Sequence, residues 1–224
     1  MPSGVRPSRS AGRAALLIRA RVLAVVYEVE LKVRAAHGPV REALESRGAT
    51  PVGRVHQHDT YYDAPHRDFA ETDEALRLRR ETREEGSDGS AGGHGTADPT
   101  VRLTYKGPLV ESASKTREEH ETDVGDPGAA DALLGALGFS PAAVVEKSRE
   151  RFACGEYAVV LDTLPELGEF VEVEREAPES EVAAAREGAA ELLGELGCDP
   201  AEQIRTSYLE LALDRRGVGA AQDG

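Results

Sequence analysis

Strict alternation of charged and aliphatic side chains is the pattern that most constrains what this chain can fold into. It is clearest at Glu28-Val-Glu30-Leu-Lys32-Val. A β-strand sends successive side chains to opposite faces, so Glu28, Glu30 and Lys32 share one face while Val29, Leu31 and Val33 share the other. Two carboxylates on one rigid face can ligate a divalent metal, with a lysine beside them to meet an anion. Taken alone, the segment reads equally well as an amphipathic strand whose charged face is solvated. The rest of the chain separates these readings.

The pattern recurs. Arg77 and Arg79 share a face, as do Arg102, Thr104 and Lys106, then Arg117, Glu119 and Glu121, then Lys147, Arg149 and Arg151. Glu172-Val-Glu174 repeats the opening motif. Strands are expected from Tyr27 to Val33, Val52 to Tyr62, Ala75 to Arg80, Thr100 to Lys106, Lys115 to Val124, Val144 to Ala153, Tyr157 to Asp162 and Glu169 to Arg175, with turn chemistry between them. Helices are expected from Val40 to Arg47, from Asp126-Pro127 to Gly138 and from Ser180 to Leu196, followed by a last segment from Ile204 to Leu213. Eight strands on mostly short links, with helices in three gaps, predict an α+β fold: an eight-stranded antiparallel β-barrel or strongly curved sheet with helices packed outside. Aliphatic faces then pack beneath the helices and charged faces line a common interior. Such an interior is tolerable only if it is wet and its charges are paired or ligand-bound.

Composition narrows the partners. The formal net charge is -14, which disfavours a general nucleic-acid binder, because affinity for phosphate backbones comes from neutralising them with Lys and Arg. Any anion site must be local and enclosed. Residues 1–27 hold five arginines and no acid, so the remainder carries 22 basic against 41 acidic groups, a surface suited to a salt-rich cytoplasm. Residues 1–25 read as a disordered basic extension or as residues contributed by an upstream start codon, residues 26–214 as the single domain, and 215–224 as a disordered tail. Residues 85–99, rich in Gly, Ser and Asp, read as a mobile loop joining the third and fourth strands in a long hairpin. Cys154 and Cys198 lack metal spacing and favour a reducing, cytoplasmic setting. The apolar stretch from Ala14 to Val26 is interrupted by Arg19 and Arg21, so no membrane span is expected. Short helices on a barrel leave apolar surface uncovered, so a homodimer is an open alternative.

Lysine usage adds a second signal. Four of the 27 basic residues are lysine, and three of these, Lys32, Lys106 and Lys147, fall on charged strand faces. A compact ammonium contacts phosphate as a point charge, where the planar fork of arginine would impose another geometry.

The set Glu28-Val-Glu30-Leu-Lys32, Asp59-Thr-Tyr-Tyr-Asp63, Ala75-Leu-Arg-Leu-Arg79, Tyr105-Lys106-Gly107-Pro108, Glu146-Lys147-Ser148-Arg149, Leu161-Asp162 and Leu167-Gly-Glu-Phe-Val-Glu172-Val-Glu174 resembles the CYTH, or triphosphate tunnel metalloenzyme, family from Tyr27 to about Leu213. The resemblance implies an eight-stranded antiparallel tunnel that binds a nucleoside or inorganic triphosphate with Mg²⁺ or Mn²⁺. It implies Glu28, Glu30, Glu172 and Glu174 as metal ligands, and Lys32, Arg79, Arg102, Lys106, Lys147 and Arg149 as phosphate contacts. Glu28, Glu30, Lys32 and Asp162 would form the catalytic centre, with Glu119 and Glu121 as further acidic wall positions. Hard carboxylate oxygens suit these metals. One metal would orient the nucleophile and a second stabilise the leaving oxygen, so His56 and His58 are expected to be structural or solvent-facing.

The same wall can serve two reactions. In a class IV adenylyl cyclase the ribose 3′-hydroxyl of ATP attacks the α-phosphorus; in an inorganic or thiamine triphosphatase, water attacks the terminal phosphorus. The tail Arg205-Thr-Ser-Tyr208-Leu-Glu-Leu211 and the Glu146-Lys-Ser-Arg149 setting resemble the cyclase-type branch, which is the expectation here. A non-catalytic triphosphate- or polyphosphate-binding module is the alternative of another class.

Overall fold

The computed structural model describes residues 26–84, 99–111 and 116–220. The expectations for residues 1–25 and for nearly all of the 85–99 loop therefore lie outside the described residues. Eight antiparallel strands form one sheet: β1 (Val26–Arg34), β2 (Thr50–Asp63), β3 (Ala75–Arg83), β4 (Thr100–Glu111), β5 (Thr116–Asp123), β6 (Ser140–Cys154), β7 (Tyr157–Leu164) and β8 (Gly168–Pro178). Their order across the sheet is β1-β8-β7-β6-β2-β3-β4-β5.

The sheet curls into a half-barrel, so that Glu28 on one edge strand feels the charges of Lys106 and Glu119 on the last two strands. Among the described residues no ladder joins β1 to β5, and the barrel expected from sequence is open along that seam. The physical reason is visible in the sequence of β5, Thr-Arg-Glu-Glu-His-Glu-Thr-Asp, which is polar or charged at every position. Charge of this kind discourages an edge strand from pairing further.

Strand bounds exceed the expected ones where bulges absorb irregular residues. Gly107-Pro108 reads as the end of a strand, yet β4 continues beyond it across a register shift between Lys106 and Leu109. Three helices were expected, and among the described residues five occur: α1 (His37–Ser46), α2 (Phe69–Thr72), α3 (Pro127–Ala136), α4 (Val182–Glu195) and α5 (Tyr208–Ala220). The single turn α2 carries almost no periodic signal. It is set by Asp68, whose side chain accepts from the Ala70 and Glu71 amides, and is ended by Asp73 in the left-handed conformation.

Alternation sorts the two faces as expected. Val29, Leu31, Val33, Val159, Leu161, Val171 and Val173 pack on the convex side beneath α1 and α4, against Val40, Leu44, Ala185, Ala189 and Leu193. Leu76, Leu78, Val101 and Tyr62 pack with Phe69 of α2 and Leu134 of α3 in a second convex cluster. Helix α5 behaves differently. It packs against Val145, Leu164 and Phe170, which share the face of the charged residues, and so lies on the concave side at one end of the half-barrel. Cys154 and Cys198 are free thiols, and among the described residues no helix is long and apolar enough to cross a membrane.

Candidate active site

Register brings the two acidic motifs together. β1 and β8 pair so that Glu30 stands opposite Glu174 and Lys32 opposite Glu172. Carboxylate oxygens of Glu30, Glu172 and Glu174 all lie within 4.8 Å of one another. Three hard oxygen donors at this spacing fit a divalent cation such as Mg²⁺ or Mn²⁺. Glu28 lies on the same face but outside this cluster, toward Lys106 and Glu119. Its carboxyl is open to solvent, yet the surrounding wall removes much of its hydration. That desolvation, reinforced by the charge of Glu30, raises its pKa.

Beside the carboxylates stands a buried cation network. Arg149 Nε and Nη2 donate to both oxygens of Asp162 at 2.8 and 2.6 Å, while Nη2 also reaches Glu172 at 2.6 Å and Nη1 reaches Glu174 at 3.4 Å. Lys147 Nζ lies 3.4 Å from Asp162, which is 0% exposed. Burial alone would raise Asp162, but Lys147 and Arg149 outweigh it and hold the carboxyl far below the usual carboxylate range. Burial pushes Lys147 down to about 8, with the charge of Arg149 acting in the same direction. Glu174 is pushed up to about 7, chiefly by burial and also by the charges of Glu172 and Glu28, despite the opposing pull of Arg149. The charges of Glu172 and Glu28 add to the effect of burial on Glu174, and a bound divalent ion would offset them.

The remaining expected residues lie further round the curl. Arg79 donates bidentately to Asp59 at 2.7 and 2.6 Å, and Arg77 approaches the same carboxylate at 4.0 Å. Lys106 Nζ pairs with Glu119 at 2.6 Å, and Arg102 with Glu121 at 3.1 Å and with Asp123 at 3.4 Å. These last pairs are far more open than the Arg149 network. Of the two histidines, His58 Nδ1 meets Glu146 at 3.1 Å and His56 is exposed.

Two residues of the interior were not assigned a role by the sequence. Asp59 is 1% exposed, and burial would raise it, but its hydrogen bonds and charge contact with Arg79 lower it instead. Its signal was available, since an aspartate inside a strand on the face of Gln57 and Tyr61 is poor strand chemistry and needs a reason. Tyr208 places its ring beneath Lys32 and Lys147, at 4.3 and 4.8 Å from the two ammoniums to its centroid. No strand pattern points to it, because it arrives on α5.

Comparison with known proteins decides the family. The model of the CYTH domain matches residues 26–208. The chain belongs to the CYTH family. A Methanocaldococcus jannaschii protein, provisionally named an adenylate cyclase, is 33% identical over 188 residues, 83% of this CYTH chain and 98% of that protein. The solved structure of a Pyrococcus horikoshii protein superposes with a TM-score of 0.72 at 35% identity, covering 84% of this chain and 99% of that one. A Hippeastrum structure shares the fold with a TM-score of 0.56 at 18% identity, covering 86% and 96% of the two chains. That protein, provisionally named an adenylyl cyclase, is described as having a dominant triphosphatase activity.

Proposed function

We propose that the concave face binds a triphosphate together with Mg²⁺ or Mn²⁺ and acts on it as a class IV adenylyl cyclase does, converting ATP to cyclic AMP and pyrophosphate. The observation that carries this reading is the convergence of Glu30, Glu172 and Glu174 on one point beside Lys32, Lys147 and Arg149. A triphosphate brings about four negative charges, and fixed cations of a poorly hydrated wall neutralise them and the charge that gathers on the leaving group. In the reaction the 3′-oxygen forms a bond to the α-phosphorus, the bond from that phosphorus to the β-phosphate oxygen breaks, and the hydroxyl proton is released.

Each side chain has a part in this scheme. Glu30, Glu172 and Glu174 hold the metal, with Glu28 beside them. When bound, the metal supplies Lewis-acid polarisation of phosphate oxygens. Lys32, Lys147 and Arg149 take the phosphates on the closed wall, and Arg79, Lys106 and Arg102 on the rest of the curl. Asp162 aims Arg149 and Lys147, and Asp59 aims Arg79. Naming of the Methanocaldococcus relative supports cyclisation. A second reading, an inorganic or thiamine triphosphatase on the same wall, is supported by the activity of the Hippeastrum protein with this fold.

Incubation of the purified protein with Mn²⁺ and, separately, ATP, tripolyphosphate and thiamine triphosphate distinguishes these readings. Cyclic AMP with pyrophosphate is the expected result. Orthophosphate without cyclic AMP would replace the cyclase by the hydrolase, and binding without any product would replace both by a non-catalytic module.

A further inference from the structure

Lys32 is 3% exposed and stands beside two carboxylates, yet its Nζ is 3.8 Å from Glu30 and 3.9 Å from Glu172. A buried ammonium ordinarily closes to about 2.7–2.9 Å on such a partner. What it does approach is the Tyr208 ring, over which its Nζ sits 4.3 Å from the centroid. Lys147, on a strand two positions away across the sheet from β8, places its own Nζ 4.8 Å from the same centroid. One aromatic ring thus meets two buried cations that the motifs supply from strands far apart in the sequence. Ring quadrupoles attract ammoniums most strongly where water is excluded.

The ring is itself held firmly. Phe170 packs edge-on against it with centroids 5.0 Å apart, and Val145 and Leu164 complete an apolar cluster around it. The chain leading to α5 is tied to the lysine strand, since the Ile204 amide donates to the Lys32 carbonyl at 2.7 Å. Helix α5 then starts on a reciprocal cap. The Ser207 amide donates to Glu210 Oε2 at 2.6 Å, and the Glu210 amide to Ser207 Oγ at 3.2 Å. The buried Tyr208 hydroxyl lies beside the Glu172 and Asp162 carboxylates, so Tyr208→Phe separates the part played by the ring from any played by the hydroxyl.

We infer that Tyr208 is a positioning residue whose ring seats the Lys32 and Lys147 ammoniums together, holding Lys32 off Glu30 and Glu172 while Lys147 keeps its contact with Asp162, so that both face the anionic end of the substrate. The role rests on the triphosphate reading given above. It makes α5 part of the site, because the helix carries the seat for the two lysines as well as closing one end of the half-barrel.

The chain has four lysines, so protein labelled at the lysine ε-carbon gives four ε-methylene signals. In the wild-type protein two of them, from Lys32 and Lys147, are expected upfield through the ring current of Tyr208. Tyr208→Phe keeps both shifts and the affinity for Mg²⁺-tripolyphosphate measured by calorimetry. Tyr208→Leu returns both signals to the ordinary lysine position and weakens that affinity about tenfold. Absence of upfield signals in the wild type overturns the seat whatever the protein binds, and this measurement stands even if the leucine variant does not fold. A folded leucine variant that loses the shifts but binds as wild type overturns the positioning role. Upfield signals in a wild-type protein that does not bind tripolyphosphate overturn the triphosphate reading, and the positioning role with it, while leaving the ring contact in place.

Discussion

The two walls of the half-barrel are built from the same alternation and end in different physical states. On the wall of β1, β8, β7 and β6, Lys32, Lys147, Asp162, Glu172 and Glu174 are buried, and one guanidinium, Arg149, serves three carboxylates. On the wall of β4 and β5, Arg102 is 44% exposed and pairs with solvent-facing Glu121 and Asp123. The closed wall is covered at one end by α5 and its apolar cluster, whereas among the described residues β5 ends the sheet as an edge. Identical sequence patterns therefore give an electrostatically strong site on one side and weakly coupled surface pairs on the other. Coulomb interactions are strong where water is excluded and screened where it is not.

The largest expected effect falls on the closed wall. Glu30→Gln or Glu172→Gln removes a carboxylate of the three-acid cluster and should lower turnover with Mn²⁺ by at least about a hundredfold, read as product formed per unit time. An unchanged rate would remove the metal assignment. Arg149→Lys should follow. A single ammonium cannot reproduce a fork that reaches Asp162, Glu172 and Glu174, so turnover should fall about tenfold or more and the thermal midpoint should drop.

Asp59→Asn tests the floor between the walls, where it leaves the largely enclosed Arg79 guanidinium without its charge partner. Loss of about 3 kcal/mol in a urea titration is expected. The same pair predicts the acid limb of stability. Because Arg79 lowers Asp59 below its ordinary value of 3.8, the contribution is fully present above that pH and is lost as the pH falls through the depressed folded value. The wild-type protein should therefore lose stability on acidification below about pH 4, and Asp59→Asn should flatten that limb. Smallest of all is Arg102→Gln, which should change stability by less than about 1 kcal/mol, with any effect diminishing in high salt. Equal costs for Arg102→Gln and Asp59→Asn would abolish the distinction between the open wall and the enclosed floor.

Much of this site was readable before any coordinates. Parity alone placed Glu28, Glu30, Lys32, Arg79, Lys147, Arg149, Glu172 and Glu174 on one shared face, and Val29, Leu31, Val171 and Val173 on the face that the helices cover. Parity does not say which member of a run meets which neighbour. Glu30 joins Glu172 and Glu174 while Glu28 lies apart, because ladder register and curl fix the distances. Asp59 was visible as a motif residue, but its role depends on β2 and β3 pairing it directly with Arg79.

The sequence by itself determined the strands, their two faces and the charge that one face must carry, because side-chain direction in a strand follows from local backbone geometry. Tertiary structure alone decided that, among the described residues, no ladder closes β1 onto β5, that α5 turns onto the concave face, and that Tyr208 meets Lys32 and Lys147. These are contacts between residues far apart in the chain. Only the curl of the whole sheet and the docking of its last helix bring them within reach, and no local pattern encodes that.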